Sequence, residues 1–574
     1  MDTAIPATLT GQTMRTIPVW QMMAEDLKKY GVETAFGLMS DDTMGIVVGL
    51  DGQGVAFHGT RHENHAVMAA NGYSQATQKL GVVVIGRGPA MANAMNGTVS
   101  SSRSDNKVLV ITGSPPLPNG ELNHLGPDLK GWNAVDVLTV AGIKCFMPTS
   151  AGVARQTLAD AVNAAEMGLT VVLHLPGNIQ DAQVTIPAEE STGFIKPFVP
   201  KKPAASREPG IEAAVAMLAK AKRPLIIAGH GAHLSGAREA LDALAEKTGA
   251  VCVTSVKGKD MFRDSPWNLN VLGSSAHMLG RKYAQQADVV IAFGAALNFL
   301  TLSAGMAVPK VPLIHVDNRR TRVGAYWFAD VGIVGDAREV AEQLVAALPD
   351  RAAADKPFHS DASRAEIAAY DQADDFVPAH TPRTIDPRTL SIELDKLLPR
   401  ERNVVWDAGN FFLGVQYISV PNPGHFKTTA DFGSMGLGMG TGIGFAKGRS
   451  EVPTLIAVGD GGLLMSFGEL ETAVREDIPV IVACYNDAAY GAEVHILRMR
   501  ELPVAKAHFP DIDFAPIAEG FGYEAYTIRS VADLHAIKDV LANPQGPIFL
   551  DCKVNVAVPN PVMAEFVELE KGKH

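Results

Sequence analysis

Short apolar runs, each followed by a stretch with helical spacing, recur along this chain and leave few folds open to it. In the N-terminal third, "LGVVVIG", "KVLVITG" and "TVVLHLP" read as strands buried on both faces, while "VWQMMAEDLKKYGV" reads as a helix. The same alternation returns in "RPLIIAG", "AVCVTS", "ADVVIAFG" and "VPLIHVD", and again near the end in "TLIAV" and "VIVAC". Strands that are apolar throughout must be covered on both faces, so the expected class is α/β, with three doubly wound parallel-sheet domains. The length of 574 residues agrees, since a single core rarely organises more than about 250–300.

Two segments break the pattern. The proline- and lysine-rich "FIKPFVPKKPAASREPG" reads as a linker, and the polar stretch from Asp350 to Pro387 as a long connector containing a helix. They set the expected domains at 1–190, 205–350 and 380–574.

Charge and cysteine usage narrow the function classes. A net charge of −12 argues against a nucleic-acid backbone as partner, and 47% hydrophobic with 20% charged residues argues against disorder. Cys145, Cys252, Cys484 and Cys552 lack metal-ligand spacing and read as reduced packing residues, the usage of a cytoplasmic protein. No apolar run reaches the ~20 residues that cross a bilayer, and the N-terminus has no basic-then-apolar pattern. Neither membrane insertion nor secretion is expected.

The chemistry concentrates in "AVGDGGLLMSFGELETAVREDIPVIVACYNDAAYGAE", residues 457–493. Its two apolar runs and the helical stretch between them form a βαβ unit with polar groups at both strand ends. Asp460 sits among Gly459, Gly461 and Gly462, where the absence of side chains lets a ligand approach backbone N–H groups. A carboxylate beside an anion site is useful only if a cation balances it. Asn486 and Asp487, at the next strand end, add hard oxygens suited to Mg²⁺ held jointly with a diphosphate. A glycine turn and a helix cap would account for either piece alone. Both together, at strand carboxyl ends where such folds bind ligands, favour the ligand reading.

This spacing resembles the signature of the thiamine diphosphate (ThDP) enzymes of the acetolactate synthase and pyruvate decarboxylase superfamily. By that resemblance Asp460, Asp487 and the carbonyl of Ala489 hold Mg²⁺, with Gly461 and Gly462 near the diphosphate. The family's second Asn is Asp487 here. "RHENHAVMAANG" resembles the N-terminal domain and makes Glu63 the carboxyl that serves the cofactor's aminopyrimidine. "DFGSMGLGMG" resembles the segment on which the cofactor bends, placing Met435 beneath it and the carbonyl of Gly433 against the pyrimidine. The three blocks become pyrimidine-binding, central and diphosphate-binding domains, with Glu63 and the metal site contributed by different subunits of a homodimer or homotetramer.

The choice of reaction rests on a few further positions. Asp41, His124 and Glu493 fall where 2-oxo acid decarboxylases carry an acid, a histidine and an acid. The bland readings are a helix cap for Asp41 and a solvated helix residue for Glu493. "VHILRMRELP" lacks the aromatic-Gln pattern of acetolactate synthases, Trp132-Asn133 replaces their Phe-Gln, and "GAALNFLTL" replaces the Arg-rich run of flavin-binding members. FAD is therefore not expected. The expected activity is non-oxidative cleavage or formation of a C–C bond beside a carbonyl, on a small 2-oxo acid or aldehyde. A decarboxylase with carboligase capacity comes first and an acetolactate-synthase-like carboligase second. A non-catalytic cofactor-binding homologue is the alternative from another class. Arg87 is read as paired with a neighbouring carboxylate, and His62 and His65 as helix-start residues.

Overall fold

The computed structural model describes residues 13–117, 129–188 and 209–571. His124 and residues 194–208 of the linker lie outside them. Three six-stranded parallel sheets are present, as the alternation of apolar runs predicts.

The first sheet runs, in spatial order, Ala56–Gly59, Thr34–Gly37, Gly81–Ile85, Val108–Ser114, Thr170–Pro176 and Lys144–Phe146. An antiparallel pair, Met14–Pro18 with Gln183–Pro187, ties the two ends of this block together. The second sheet runs Asn268–Val271, Val251–Thr254, Pro224–Ala228, Val289–Phe293, Leu313–Asp317 and Val331–Val334. The third runs Phe426–Thr428, Asn403–Trp406, Thr454–Gly459, Val480–Asn486, Ile548–Lys553 and Glu524–Ile528. The chain reverses its direction of travel between Thr34–Gly37 and Gly81–Ile85 in the first sheet, and between Asn403–Trp406 and Thr454–Gly459 in the third. Ligands of open α/β sheets bind outside the carboxyl ends of strands at such reversals.

These contacts gather the chain into two compact units. One takes the first sheet with the segments Thr429–Glu451 and Met465–Val480, and the other takes the second and third sheets. Two helical segments that belong to the third block in sequence thus pack with the first.

The reason is visible in the side chains. In the helix Glu63–Thr77 every residue except Asn64 and Thr77 is buried. It packs against the helix Gly438–Gly448 at backbone distance. A Cβ at Gly444 would stand 1.8 Å from the carbonyl oxygen of Ala69, and one at Gly72 would stand 2.1 Å from that of Thr441. Glycine on both helices permits this approach.

Candidate active site

Asp460 opens the helix Asp460–Met465 immediately after the strand Thr454–Gly459, on the reversal of the third sheet. It is 3% exposed, and its Oδ2 is buried with no hydrogen-bond partner. Burial pushes its carboxyl up to about 7, against the backbone N–H groups of Gly461 and Ala488, and the charge of Asp551 pushes the same way.

Asp487 follows the neighbouring strand and is held well above the usual carboxylate range by burial and then by the charge of Asp460, with Glu493 adding to the effect. Two carboxylates that each resist ionisation, one with an orphaned oxygen, are a donor set whose chemistry suits a cation. The residues present fit Mg²⁺.

The surrounding loop is built to hold this pair. Asn486 Nδ2 donates to Asp551 Oδ1 at 2.9 Å and to the carbonyl of Ile512 at 3.0 Å, while its Oδ1 accepts the N–H of Ala488. Its side chain is thus spent on the scaffold. Ala488 adopts φ +52°, a left-handed conformation that costs a non-glycine residue about 1–2 kcal/mol. Ala489 is buried and bridges to His508. Gly461 lies under the ring of Tyr490, where a Cβ would come within 2.8 Å. Gly462 is buried beside it. Glu493 is exposed in the first turn of the helix Gly491–Met499.

In the unit that holds the first sheet, Glu63 begins its helix with His62 as N-cap, the imidazole Nδ1 accepting the N–H of Asn64 at 3.1 Å. His65 is held neutral, its imidazole lowered to about 4 by burial and then by His62. Both histidines are helix-start residues, as read from the sequence. Glu63 is 8% exposed, and its Oε2 accepts a hydrogen bond from Asn93 Nδ2 at 3.0 Å.

The segment leading to Glu63 is gripped by the helix Glu469–Arg475 and the residue after it. Glu469 Oε1 accepts the N–H groups of Arg61 at 2.9 Å and His62 at 3.1 Å. Arg61 forks onto Glu471 with two contacts of 2.6 Å. Arg475 donates to the carbonyl of Gly59, and His58 Nδ1 lies 2.7 Å from Glu476 Oε2. Glu469 is 1% exposed, and burial pushes its carboxyl up to about 7 against the donors of Thr472, Arg61 and His62. Sequence reading passed over Glu469 and Asn93. Neither position carries a local signal, because each partner is distant in sequence.

In the same unit Gly433 has φ +74° and open space where a Cβ would stand, and Met435 is partly buried. Ser434 Oγ accepts from Asn96 Nδ2 at 2.8 Å. On the reversal of the first sheet a cavity of 450 Å³ is lined by Trp20, Asp41, Asp42, Met44, Arg87 and Gln180, among others. Asp41 is exposed and meets Lys130 Nζ at 2.5 Å, which holds its carboxyl below the usual range. It does not cap the helix Met44–Gly52, whose N-cap is Thr43. Arg87 pairs with Asp42, Nε to Oδ2 at 3.3 Å, and its N–H donates to the same oxygen at 2.9 Å. The pairing read from the sequence is the one observed.

Three parallel sheets, a carboxylate pair at neighbouring strand ends of one and a buried glutamate at a helix start suit a cofactor-binding enzyme. Three family models match in order: the thiamine pyrophosphate enzyme N-terminal TPP binding domain over residues 18–132, the central domain over 211–344 and the C-terminal TPP binding domain over 407–552. The chain belongs to the thiamine pyrophosphate enzymes.

Among similar proteins, a probable 2-ketoarginine decarboxylase of Pseudomonas aeruginosa is 29% identical over 505 residues, covering 84% of each chain. A probable acetolactate synthase large subunit of Methanocaldococcus jannaschii is 27% identical over 532 residues, 88% of this chain and 86% of its own. A sulfoacetaldehyde acetyltransferase of Alcaligenes xylosoxydans xylosoxydans is 28% identical over 547 residues, 88% of this chain and 87% of its own. No helix among the described residues is long and apolar enough to cross a membrane.

Proposed function

We propose that the protein is a ThDP- and Mg²⁺-dependent non-oxidative enzyme that breaks or makes a C–C bond beside a carbonyl, acting first as a 2-oxo acid decarboxylase with carboligase capacity. The observation that carries the cofactor assignment is the carboxylate pair of buried Asp460 and half-buried Asp487, each carboxyl raised and one oxygen of Asp460 orphaned. When bound, ThDP supplies a carbon nucleophile for the substrate carbonyl and a sink for the electron pair released as the bond breaks.

Asp460, Asp487 and the carbonyl of Ala489 would hold Mg²⁺, and the backbone around Gly461 and Gly462 the diphosphate. The carbonyl of Gly433 and the side chain of Met435 would orient the pyrimidine end. Glu63 would hold and return the proton at the aminopyrimidine, a task suited to a carboxyl shielded from water. Asp41, Glu493 and His124 are the candidates for moving protons at the substrate. The described cysteines are all free, in keeping with a cytoplasmic location. A homodimer or homotetramer is proposed with it, each Glu63 serving the metal site of a neighbouring subunit.

The second reading is an acetolactate-synthase-like carboligase, favoured by the name of the methanogen relative. Incubation with ThDP, Mg²⁺ and a panel of aliphatic and aromatic 2-oxo acids separates the two. Release of CO₂ with free aldehyde supports the decarboxylase, and release of CO₂ with a 2-hydroxy ketone or acetohydroxy acid supports the carboligase. If no acid is consumed, the decarboxylase reading fails for that panel.

A further inference from the structure

Glu63 is fixed from both sides. Asn93 holds its carboxylate, and the peptide groups Thr60–Arg61 and Arg61–His62, one link before it, are held by one oxygen of Glu469. Consecutive N–H groups converging on a single acceptor fix the orientation of both peptide planes, and with them the position of the His62 Cα from which the chain steps to Glu63. The other contacts of the Glu469–Arg475 helix, to Gly59 and to the side chain of Arg61, hold the same four-residue stretch. A buried acid whose only task was to fill space would not meet the chain at this point.

We propose that Glu469 is a positioning residue for Glu63, setting the geometry from which Glu63 exchanges its proton. The proposal rests on the reading of Glu63 as the group that serves the aminopyrimidine. Glu469 itself touches neither substrate nor cofactor, and it acts through the backbone of Arg61 and His62.

The test uses full-length protein and three variants: Glu469→Ala, Glu469→Gln and Glu63→Gln. Two quantities are read beside ThDP affinity. One is amide hydrogen exchange of the peptide containing Arg61 and His62 in cofactor-free protein. The other is the rate at which the C2 proton of bound ThDP exchanges into deuterium oxide, followed by NMR after acid quench.

Glu469→Ala should unprotect the two amides and slow C2 exchange by about 10–100-fold, the scale of a ~1 Å misplacement, with ThDP affinity within about threefold of wild type. Glu469→Gln keeps an acceptor oxygen and should restore most of the rate. If Glu469→Ala exchanges C2 at the wild-type rate while Glu63→Gln is slow, the positioning role is overturned and the reading of Glu63 stands. If Glu63→Gln is itself as fast as wild type, that reading falls, and the positioning role with it. Should Glu469→Ala fail to fold, Glu469→Asp draws the carboxylate back by about 1.5 Å, one C–C bond. A slowed C2 rate in that variant supports the proposal, and an unchanged rate overturns it.

Discussion

The Oδ2 of Asp487 occupies the space a side chain at residue 491 would need, since a Cβ on Gly491 would come within 2.2 Å of it. The helix that begins at Gly491 is therefore cut to the shape of a carboxylate at the proposed metal site. Gly491→Ala should leave the fold intact but turn Asp487 aside, because the backbone at residue 491 suits alanine and the carboxylate is the nearest obstacle, with the Cβ of Asn410 at 3.1 Å needing to give only a few tenths of an ångström. Mg²⁺-dependent ThDP binding should weaken by at least about tenfold, equivalent to ~1.4 kcal/mol. Isothermal titration with ThDP at fixed Mg²⁺ checks this, and wild-type affinity would separate Gly491 from the metal site.

Asp487→Asn tests the second carboxylate. A carboxyl raised above its ordinary value of 3.8 contributes stability that is complete below that value and is lost as pH rises through the folded one. Burial and the charge of Asp460 place Asp487 in this class. The metal-free variant should therefore melt above metal-free wild type at pH 8, by a few degrees, roughly 2–4 °C, and nearly with it at pH 4.5. Calorimetry at both pH values decides, and a variant that melts lower at pH 8 contradicts the assignment.

His174, in the strand Thr170–Pro176, gives a pH dependence of opposite sign. It is 2% exposed, its Nε2 has no partner, and burial alone lowers its imidazole to about 4. A histidine depressed in the fold contributes stability that is complete above 6.5 and is lost as pH falls towards 4. Between pH 7.5 and 5 this amounts to about 2 kcal/mol. His174→Leu should gain about that much on wild type over the same interval in urea unfolding. A constant difference between the two proteins would show that His174 does not bear the acid sensitivity.

Gly444→Ala probes the contact between the Glu63–Thr77 and Gly438–Gly448 helices. With 1.8 Å available to the new methyl group, the helices must separate, at a cost of about 3 kcal/mol or more. Reduced soluble yield and a lowered melting temperature are the expected outcome, whereas Gly433→Ala, set in open space at φ +74°, should cost only about 1–2 kcal/mol. Equal melting temperatures for the two variants would remove the packing argument.

The sheets were legible because strands such as Gly81–Ile85 are buried along their whole length, and an unbroken apolar run records that directly. The placement of Asp460 and Asp487 at successive strand ends was legible because glycines and apolar runs mark where those strands stop. Three things were not. Asn486 looks like a ligand in the sequence but serves the loop, since its partners Ile512 and Asp551 lie far along the chain. Asp41 looks like a helix cap but meets Lys130, a contact between loops that no periodicity encodes. Glu469 looks like one acid among several on a crossover helix, and only the fold delivers Arg61 and His62 to it.

The gene for this protein does not divide where its text divides. A fragment ending at the proline- and lysine-rich segment would carry the first sheet complete yet leave the flank of Ala69 and Gly72 bare, because the Gly438–Gly448 helix that covers it is encoded more than two hundred codons downstream. It would lack the grip of the Glu469–Arg475 helix as well. During synthesis the N-terminal block must therefore wait, with an apolar helix face uncovered, until most of the chain has left the ribosome. Attempts to produce it as an isolated module should supply that helix in the same polypeptide, joined directly to the first block.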